Sequence, residues 1–361
     1  MKVLIVFNHP APYKVLIFNE LCKYVDLTVL FERNKAKNRP DEFYSMNKYD
    51  FKSITLTDSY IGNEGSLSNN VKKYIKEHHE EFDLIVMNGY SHWAEIKAIR
   101  YMARHNIPFT LLINGGVIHS DESILKKIYK KGLVSLAKHY ISPSSKSDDY
   151  LVYYGADKDK ICRYPYSNIS FRDIVSSKSD NKYIRGKYVL PLNKKVFVNA
   201  SQFIERKNNM QLLEIFKNRT EHLLLVGKGK ELENYQEFIK TNHMHNVTII
   251  PFKEKEELFE ILRGCDAFIT LAKEDIFGHT VLEAMACGLP VISSNKVISA
   301  LEVIKNGFNG FVVNLDNESE INHAIDSIDS IPFENTINTA KNYTVEASGR
   351  ELARIFEELH D

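Results

Sequence analysis

Apolar runs of four to seven residues alternate with amphipathic stretches from one end of the chain to the other. In the first half "KVLIVF", "DLTVLF", "DLIVMN", "FTLLIN" and "HYISPS" read as strands, being short, apolar and flanked by polar or turn residues. Between several of them, as in "KVLIFNELCKY" and "HWAEIKAIRYMARHN", apolar residues recur every three or four positions, the spacing of a helix with one buried face. Short buried strands separated by helices predict a parallel sheet covered on both faces. From Ser170 to Lys195 the pattern fades into polar, serine-rich sequence, as in a linker. It then restarts with "VFVNAS", a helix over 208–218, "HLLLVG", a helix over 230–242, "NVTIIPF", a helix over 254–264, "AFITLA", a helix over 279–287, "PVISS" and "GFVV". The predicted organisation is a first doubly wound domain over 1–169, a linker over 170–195, a second such domain over 196–340 and a terminal amphipathic helix over 341–361. That helix carries Leu352, Ile355, Phe356 and Leu359 on one side. Ligands of such sheets sit at the carboxyl ends of the strands, so a cleft between two facing domains is the expected site.

The length of 361 residues also favours two domains over one core. With 43% hydrophobic and 26% charged residues the composition is globular, which excludes a disordered or fibrous chain. The longest apolar runs fall short of the roughly 18 residues that cross a bilayer. The N-terminus has one lysine before its apolar run and no small-residue cleavage site, so a soluble, cytoplasmic chain is expected. Cys22, Cys162, Cys265 and Cys287 stand singly, without the spacing of a zinc site or a disulfide framework. The formal net charge is zero, which gives no footing for a nucleic-acid partner.

The stretch "KEDIFGHTVLEAMACGLPVISS", residues 273–294, concentrates the candidate chemistry. A helix beginning near Phe277 and Gly278 would aim the amides of its first turn at the preceding loop, an arrangement that attracts phosphate. Glu283 follows Asp275 by eight positions, about 12 Å along an ideal helix and about 80° round it, so both acids can face one elongated ligand. A sugar joined to a nucleoside by two phosphates has that shape; a solvated Glu283 and a capping Asp275 are the plainer alternative. In "FVNASQFIERKNNMQLLEIF" a strand ends at Ser201, and the loop after it presents Arg206 and Lys207. Cations fixed there are placed to stabilise a departing diphosphate, or else simply cap a loop. "HLLLVGKGKELENY" opens like a dinucleotide fingerprint with Gly227 and Gly229, but Leu232 occupies the place of the third glycine. This argues against an oxidoreductase and for a tight turn close to a ligand or neighbouring loop.

With "SQFIERKN", "LLLVGKG", "NVTIIPF", "GCDAFITLA" and "VIKNGFNGFVV" in the same order, "EDIFGHTVLEAMACGLPVISS" resembles the signature of glycosyltransferase family 4. The resemblance is strong over residues 196–315 and holds in outline before them. It implies an α/β chain of GT-B type, with two doubly wound Rossmann-like domains facing across a cleft, and a retaining transferase dependent on a nucleotide-sugar donor. Glu283 would hold the ribose, and Asp275, or Glu274 beside it, the donor sugar. Lys207 with Arg206 would neutralise the diphosphate, helped by main-chain amides around Phe277, Gly278 and His279. Thr280 and Gly227 fall in the same nucleotide-binding set, and backbone near Pro251 and Phe252 would read the base. Gln202 stands where many members have an arginine. "LLINGG" puts Asn114, Gly115 and Gly116 where a histidine before glycine is usual, with His119 available as a substitute. "NHPAPY" replaces a glycine-rich first loop and brings His9, Pro10 and Tyr13 to the acceptor. The resemblance further implies no metal, no other cofactor and no covalent nucleophile. It points to a UDP-sugar donor and to a glycan or lipid-linked acceptor in cell-surface polysaccharide or glycoconjugate synthesis. The terminal helix would cross back to the first domain.

"SILKKIYKKGLVSLAKHY" places Lys126, Lys127, Lys130 and Lys131 on a helix whose opposite side carries Ile124, Leu125, Ile128 and Tyr129. Such a basic face suits an anionic membrane surface, peripheral on the inner side of the cell membrane, or plain solvent. Asp157 and Asp159 form an Asp-x-Asp pair in turn-like sequence, where punctuation is favoured over metal binding. A nucleotide-sugar epimerase and a catalytically silent nucleotide-sugar-binding partner are the competing functions.

Overall fold

The structure is a computed structural model that describes residues 1–35, 44, 48–56, 64–119, 121–178 and 181–360. Residues 179 and 180 of the expected linker lie outside the described residues. The chain forms two compact units, Met1–Asn168 with Thr344–Asp361, and Ile169–Tyr343.

The first unit is built on seven parallel strands: β1 (Lys2–Phe7), β2 (Asp26–Phe31), β3 (Lys52–Thr55), β4 (Leu84–Asn88), β5 (Thr110–Leu112), β6 (His139–Ser142) and β7 (Ile161–Arg163). Their order is β3-β2-β1-β4-β5-β6-β7, with Ile5 of β1 opposite Val29 on one side and Val86 on the other. Central strands of this kind are covered on both faces, which is why Val3 to Phe7 are buried without alternation. β3 was not foreseen; it is a largely exposed edge strand without an apolar run. The terminal helix Val345–His360 packs on the helix Pro12–Leu21 and buries Leu352, Ile355 and Phe356. Gly349 permits that approach, since a Cβ there would stand 2.6 Å from Cβ of Glu20.

The second unit holds β8 (Val196–Ala200), β9 (His222–Val226), β10 (Val247–Ile250), β11 (Ala267–Thr270), β12 (Val291–Ser294) and β13 (Gly310–Val313). They run parallel in the order β10-β9-β8-β11-β12-β13. The helices Asn209–Phe216, Leu232–Thr241, Lys255–Arg263 and Thr280–Ala286 occupy the expected connections, and Ile298–Val303, Glu318–Ser327 and Phe333–Asn342 complete the layers. The expected linker instead packs into this unit. Its helix Lys182–Lys187 carries Arg185, which is 4% exposed and donates to the carbonyls of Gly264, Pro191 and Lys194. Arg185 also pairs with Asp266 at 2.5 Å, and Asp266 accepts from the amide of Val196 at 2.8 Å. The polar composition that suggested a linker therefore contains a clamp on the start of β8. No helix of the described residues is long and apolar enough to cross a membrane.

Lys14 is among the charged residues buried in the first unit. It is 1% exposed, donates to the Tyr164 hydroxyl at 3.1 Å and lies 4.4 Å from the Tyr166 ring centroid. Burial holds its pKa well below the ordinary lysine value. The unfolded chain therefore binds more protons than the folded one between the depressed value and the ordinary one, so this residue's contribution to stability rises with pH across that window. Lys14→Met in a Tyr164→Phe background removes the titration without leaving the hydroxyl unpaired. Its unfolding midpoint is expected to exceed that of Tyr164→Phe alone at neutral pH, with the gap narrowing as pH is raised toward about 10; thermal unfolding across a pH series checks this.

Candidate functional site

The carboxyl edge of the second sheet is organised from β8. Asn199 is buried in the strand, and its amide donates across the sheet to the Ile269 carbonyl of β11 at 2.8 Å. Its side-chain oxygen accepts from Ser201 Oγ at 2.7 Å, which in turn accepts from Asn209 Nδ2 at 3.1 Å. This polar chain fixes how the backbone leaves β8. A 3-10 turn follows at Glu205–Lys207, and Asn208 adopts φ 57° with its side chain donating to the Leu271 carbonyl at 2.9 Å. The turn delivers Lys207 to Asp275, and the two form an ion pair with side chains 14% and 17% exposed. Beside it Arg206 donates to the Glu274 carbonyl at 3.0 Å, while the amide of Lys273 donates to the Arg206 carbonyl at 2.8 Å. The loops after β8 and β11 are thus zipped together at the point where the strand order reverses, the place where ligands of open α/β sheets bind.

Asp275 is not helical. It bridges to Val297, its amide donating to the Lys296 carbonyl at 3.0 Å and its carbonyl accepting from Ile298 at 3.2 Å. The helix carrying Glu283 starts at Thr280, with His279 as N-cap and the Val281 amide bonding to the Gly278 carbonyl at 3.2 Å. The helix-based separation of Asp275 and Glu283 therefore does not apply, and the expected helix start near Phe277 moves to Thr280. Gly278 makes the break with φ 86°, where a Cβ would stand 2.6 Å from Val297 Cγ1. Phe277 is buried, and Glu274, His279, Thr280 and Glu283 are half-buried along the same edge.

On the other side of β8, the β9 exit presses against the β8 exit. A Cβ on Gly227 would lie 2.0 Å from the Ser201 carbonyl oxygen, and one on Gly229 2.3 Å from that of Phe203. The amide of Phe203 donates to the Lys228 carbonyl at 2.9 Å. The two glycines serve this contact between loops. Past β10, Pro251 and Phe252 are exposed, and Lys228 Nζ lies 5.0 Å from the Phe252 ring centroid. Gln202 is exposed between Ser201 and the turn. All of these expected donor-site residues follow β8, β9, β10 or β11. The polar chain of Asn199, Ser201, Asn208 and Asn209 was missed, although an asparagine inside the apolar "VFVNAS" was its one sequence signal.

The remaining candidates belong to the first unit. Asn114 and Gly115 follow β5, and Asn88 at the end of β4 donates to Asn114 Oδ1 at 3.3 Å. A Cβ on Gly116 would meet the Tyr150 ring at 2.4 Å, and the Tyr150 hydroxyl lies 2.6 Å from that of Tyr90. His119 is exposed further along this loop. His9 follows β1, with Nδ1 3.1 Å from the Tyr44 hydroxyl; Pro10 is buried, and Tyr13 packs edge-on to Tyr166.

Among the described residues, one group has metal-ligand geometry: Glu32, His92 and Glu95, with ligand atoms within 4.8 Å of one another. Glu95 already accepts from the amides of Ser91 at 2.7 Å and His92 at 3.0 Å, and the Glu95 bond raises the His92 pKa. His92 Nδ1 also faces Glu95 Oε1 at 3.5 Å, and buried Arg33 acts on the same histidine in the opposite direction. Asp157 caps the turn Lys158–Lys160 by accepting from the Asp159 amide at 3.2 Å and pairs with Lys160 at 3.4 Å, which is the role of turn punctuation.

Residues 180–344 match the family described as glycosyl transferases group 1. The chain is 25% identical over 272 residues to an uncharacterised glycosyltransferase of Methanocaldococcus jannaschii, covering 71% of this chain and 70% of that one. It is 24% identical over 233 residues to the O-antigen biosynthesis glycosyltransferase WclY of Escherichia coli, covering 61% and 63%. Its fold superposes on HepE of Anabaena in complex with UDP with a TM-score of 0.79, at 18% identity and over 99% and 100% of the two chains. The fold is thus the GT-B fold of these structural relatives.

Gly227→Ala is expected to cost roughly 2–4 kcal/mol, because the added carbon meets backbone on which the edge of the sheet depends. Gly132→Ala, on a helix where nothing lies within 4 Å of the new carbon, is expected to gain about 0.5–1 kcal/mol. Denaturant unfolding of both variants checks the contrast.

Proposed function

We propose, on the premise that the protein is a glycosyltransferase whose residues 180–344 form a glycosyl transferases group 1 domain, that it moves a sugar from a nucleoside-diphosphate donor with retention of configuration. The observation that carries this reading is the Lys207–Asp275 pair at the reversal of strand order, with Arg206 beside it. A cation held there by a carboxylate is fixed in place before any ligand arrives, so little reorganisation is needed when charge develops on a leaving diphosphate.

In this reading Lys207 and Arg206 take the diphosphate, together with the amides of Gly278, His279 and Thr280, which precede the first intrahelical bond. Glu283 takes the ribose hydroxyls, Asp275 or Glu274 a hydroxyl of the donor sugar, and Gly227, Pro251 and Phe252 border the base. Asn114, or His119 in its place, takes the catalytic role of the family histidine, and His9, Pro10 and Tyr13 border the acceptor. The bond between the anomeric carbon and the diphosphate oxygen breaks. The acceptor oxygen bonds to that carbon on the same face, and its proton passes to the leaving phosphate. No residue forms a covalent intermediate and no metal is required. The complex of HepE with UDP supports uridine as the base, and the assignment of WclY to O-antigen synthesis supports a cell-surface glycan or lipid-linked acceptor.

Lys207→Ala is expected to lose about 100- to 1000-fold in turnover with a nearly unchanged unfolding midpoint, while UDP raises the midpoint of the wild-type protein by mass action. The assay is UDP release from a panel of UDP-sugars, with and without a chelator, and product configuration read by NMR. Near-normal turnover of the variant removes Lys207 as the diphosphate clamp, and an inverted product removes retention. A changed sugar without UDP release identifies an epimerase, and nucleotide binding with neither outcome identifies a silent partner.

A further inference from the structure

The edge of the second sheet opposite the exits of β8 and β11 holds a cavity of about 360 Å³. It lies where the chain enters the strands: Lys194 and Lys195 precede β8, Asp266 precedes β11, and Gly288, Leu289 and Pro290 precede β12. The length of β8, about 15 Å of extended chain, separates it from the turn that carries Arg206 and Lys207. Five cations line it, Lys178, Arg185, Lys194, Lys195 and Arg263, against two acids, Asp266 and Asp329. Both acids are already matched, Asp266 with Arg185 at 2.5 Å and Asp329 with Lys195 at 2.6 Å.

Three cations are left over. Among the described residues, Lys178, Lys194 and Arg263 form no ion pair with the acids of this cavity. Arg263 ends the helix Lys255–Arg263 half-buried, and its Nε is shielded from water without a hydrogen-bond partner. Glu260, one turn back, feels the arginine's charge but is committed to Lys187 at 2.7 Å. The Cys287 thiol, which also feels that charge, is pushed up to about 12 by burial, so it is neutral near pH 7 and supplies no counter-charge. A guanidinium donor shut off from water in this way is costly until an acceptor meets it. The wall opposite the cations is fixed: Gly288, at φ 79°, leaves room for the Phe333 ring, whose Cε2 would stand 2.0 Å from a Cβ there.

We propose that this cavity is a second anion site, which binds a phosphate ester of small-molecule size through Arg263, Lys178 and Lys194. Charge and room together identify the occupant. Three unmatched cations around one cavity suit the two or three negative charges of a phosphate or diphosphate group, and the volume is that of a small-ligand site. Leu289, Ile328, Ile331 and Phe333 supply an apolar wall for the body that carries the phosphate. The same excess of positive charge repels a metal ion. The site uses none of the residues given roles in sugar transfer. A ligand here would reach β8 from its entry, through Arg185, Asp266 and the Val196 amide.

The test is calorimetric titration of pyrophosphate into the whole protein at saturating UDP, with ionic strength held constant by chloride. One equivalent is expected to bind and to raise the unfolding midpoint by mass action. Arg263→Gln and, separately, Lys178→Gln/Lys194→Gln should each weaken that binding by roughly tenfold or more, the loss of charge-assisted hydrogen bonds, and keep the wild-type thermal shift with UDP. The lysine pair is exposed, so this variant keeps the test decisive if Arg263→Gln fails to fold. Lys207→Ala should keep the pyrophosphate binding, which reads this site apart from the donor edge whatever becomes of the donor assignment. No binding at saturating UDP overturns the proposal, as does a midpoint shift that chloride alone reproduces. So does pyrophosphate binding that survives in both cavity variants and is lost in Lys207→Ala.

Discussion

The reversal of strand order at β8 is the constraint on which the second unit turns. In the order β10-β9-β8-β11-β12-β13, the connection from β8 leads to one side and the strand that closes the other side, β11, arrives much later in sequence. The carboxyl ends of β8 and β11 are therefore neighbours that share no local connection, and something must hold their loops in register. Asn199 bonds the strands, Asn208 bonds the Leu271 carbonyl, Arg206 bonds the Glu274 carbonyl, and Lys207 pairs with Asp275. Removing a pair like the last from water costs much of what its attraction returns, so apolar side chains would serve stability about as well. Its presence at a ligand-binding edge is better understood through the charge that arrives there.

The glycines and the buried arginine complete the frame. Gly227 and Gly229 let the β9 loop touch the backbone of the β8 loop, so β8 is fixed on both sides of its exit. At its other end, Asp266 joins Arg185 to the amide of Val196. The strand that presents Arg206 and Lys207 is thus secured at its entry and at its exit.

What was legible in the sequence follows from which forces act locally. The strands of the second unit are covered on both faces, so they stood out as continuous apolar runs, and the helices between them kept their period. β3 did not stand out because an edge strand can be held by backbone pairing without an apolar run, and "KSIT" is mostly exposed. The expected linker was misread because Arg185 looks polar in sequence and buries itself only through carbonyls and an acid 79 to 81 positions away or nearby in its own segment. The structure places the candidate residues of 202–283 along the exits of β8 to β11, but not in the geometry expected from the sequence. Placing Asp275 and Glu283 on one helix assumed continuity that Gly278 at φ 86° and the bridge to Val297 interrupt. On the helix Ile124–Val134 the sequence separates lysines from Ile124, Leu125 and Ile128 without saying which side packs, and it is Leu133 and Val134 that are buried. Periodicity defines two faces, while the face that packs is chosen by distant residues such as Tyr154 and Arg100.

That correction changes how the acids at 274, 275 and 283 can act. A carboxylate on a rigid helix has a fixed reach, whereas Asp275 sits on a loop tied at both backbone groups and at its side chain. Its position is therefore set by Lys207 as much as by its own backbone. A diphosphate brings more negative charge to the lysine than one carboxylate does, and in a site 14–17% exposed that difference is only partly screened. Lys207 can then turn toward the phosphates without leaving a buried cation unmatched, and Asp275 is left with acceptor capacity for a sugar hydroxyl. With the roles proposed for Lys207 and Asp275, one ion pair couples two recognition events, since the carboxylate is released to the sugar only when the diphosphate has taken the lysine. A neutral sugar alone could not make that exchange, which gives the edge a physical reason to prefer a sugar still attached to its diphosphate.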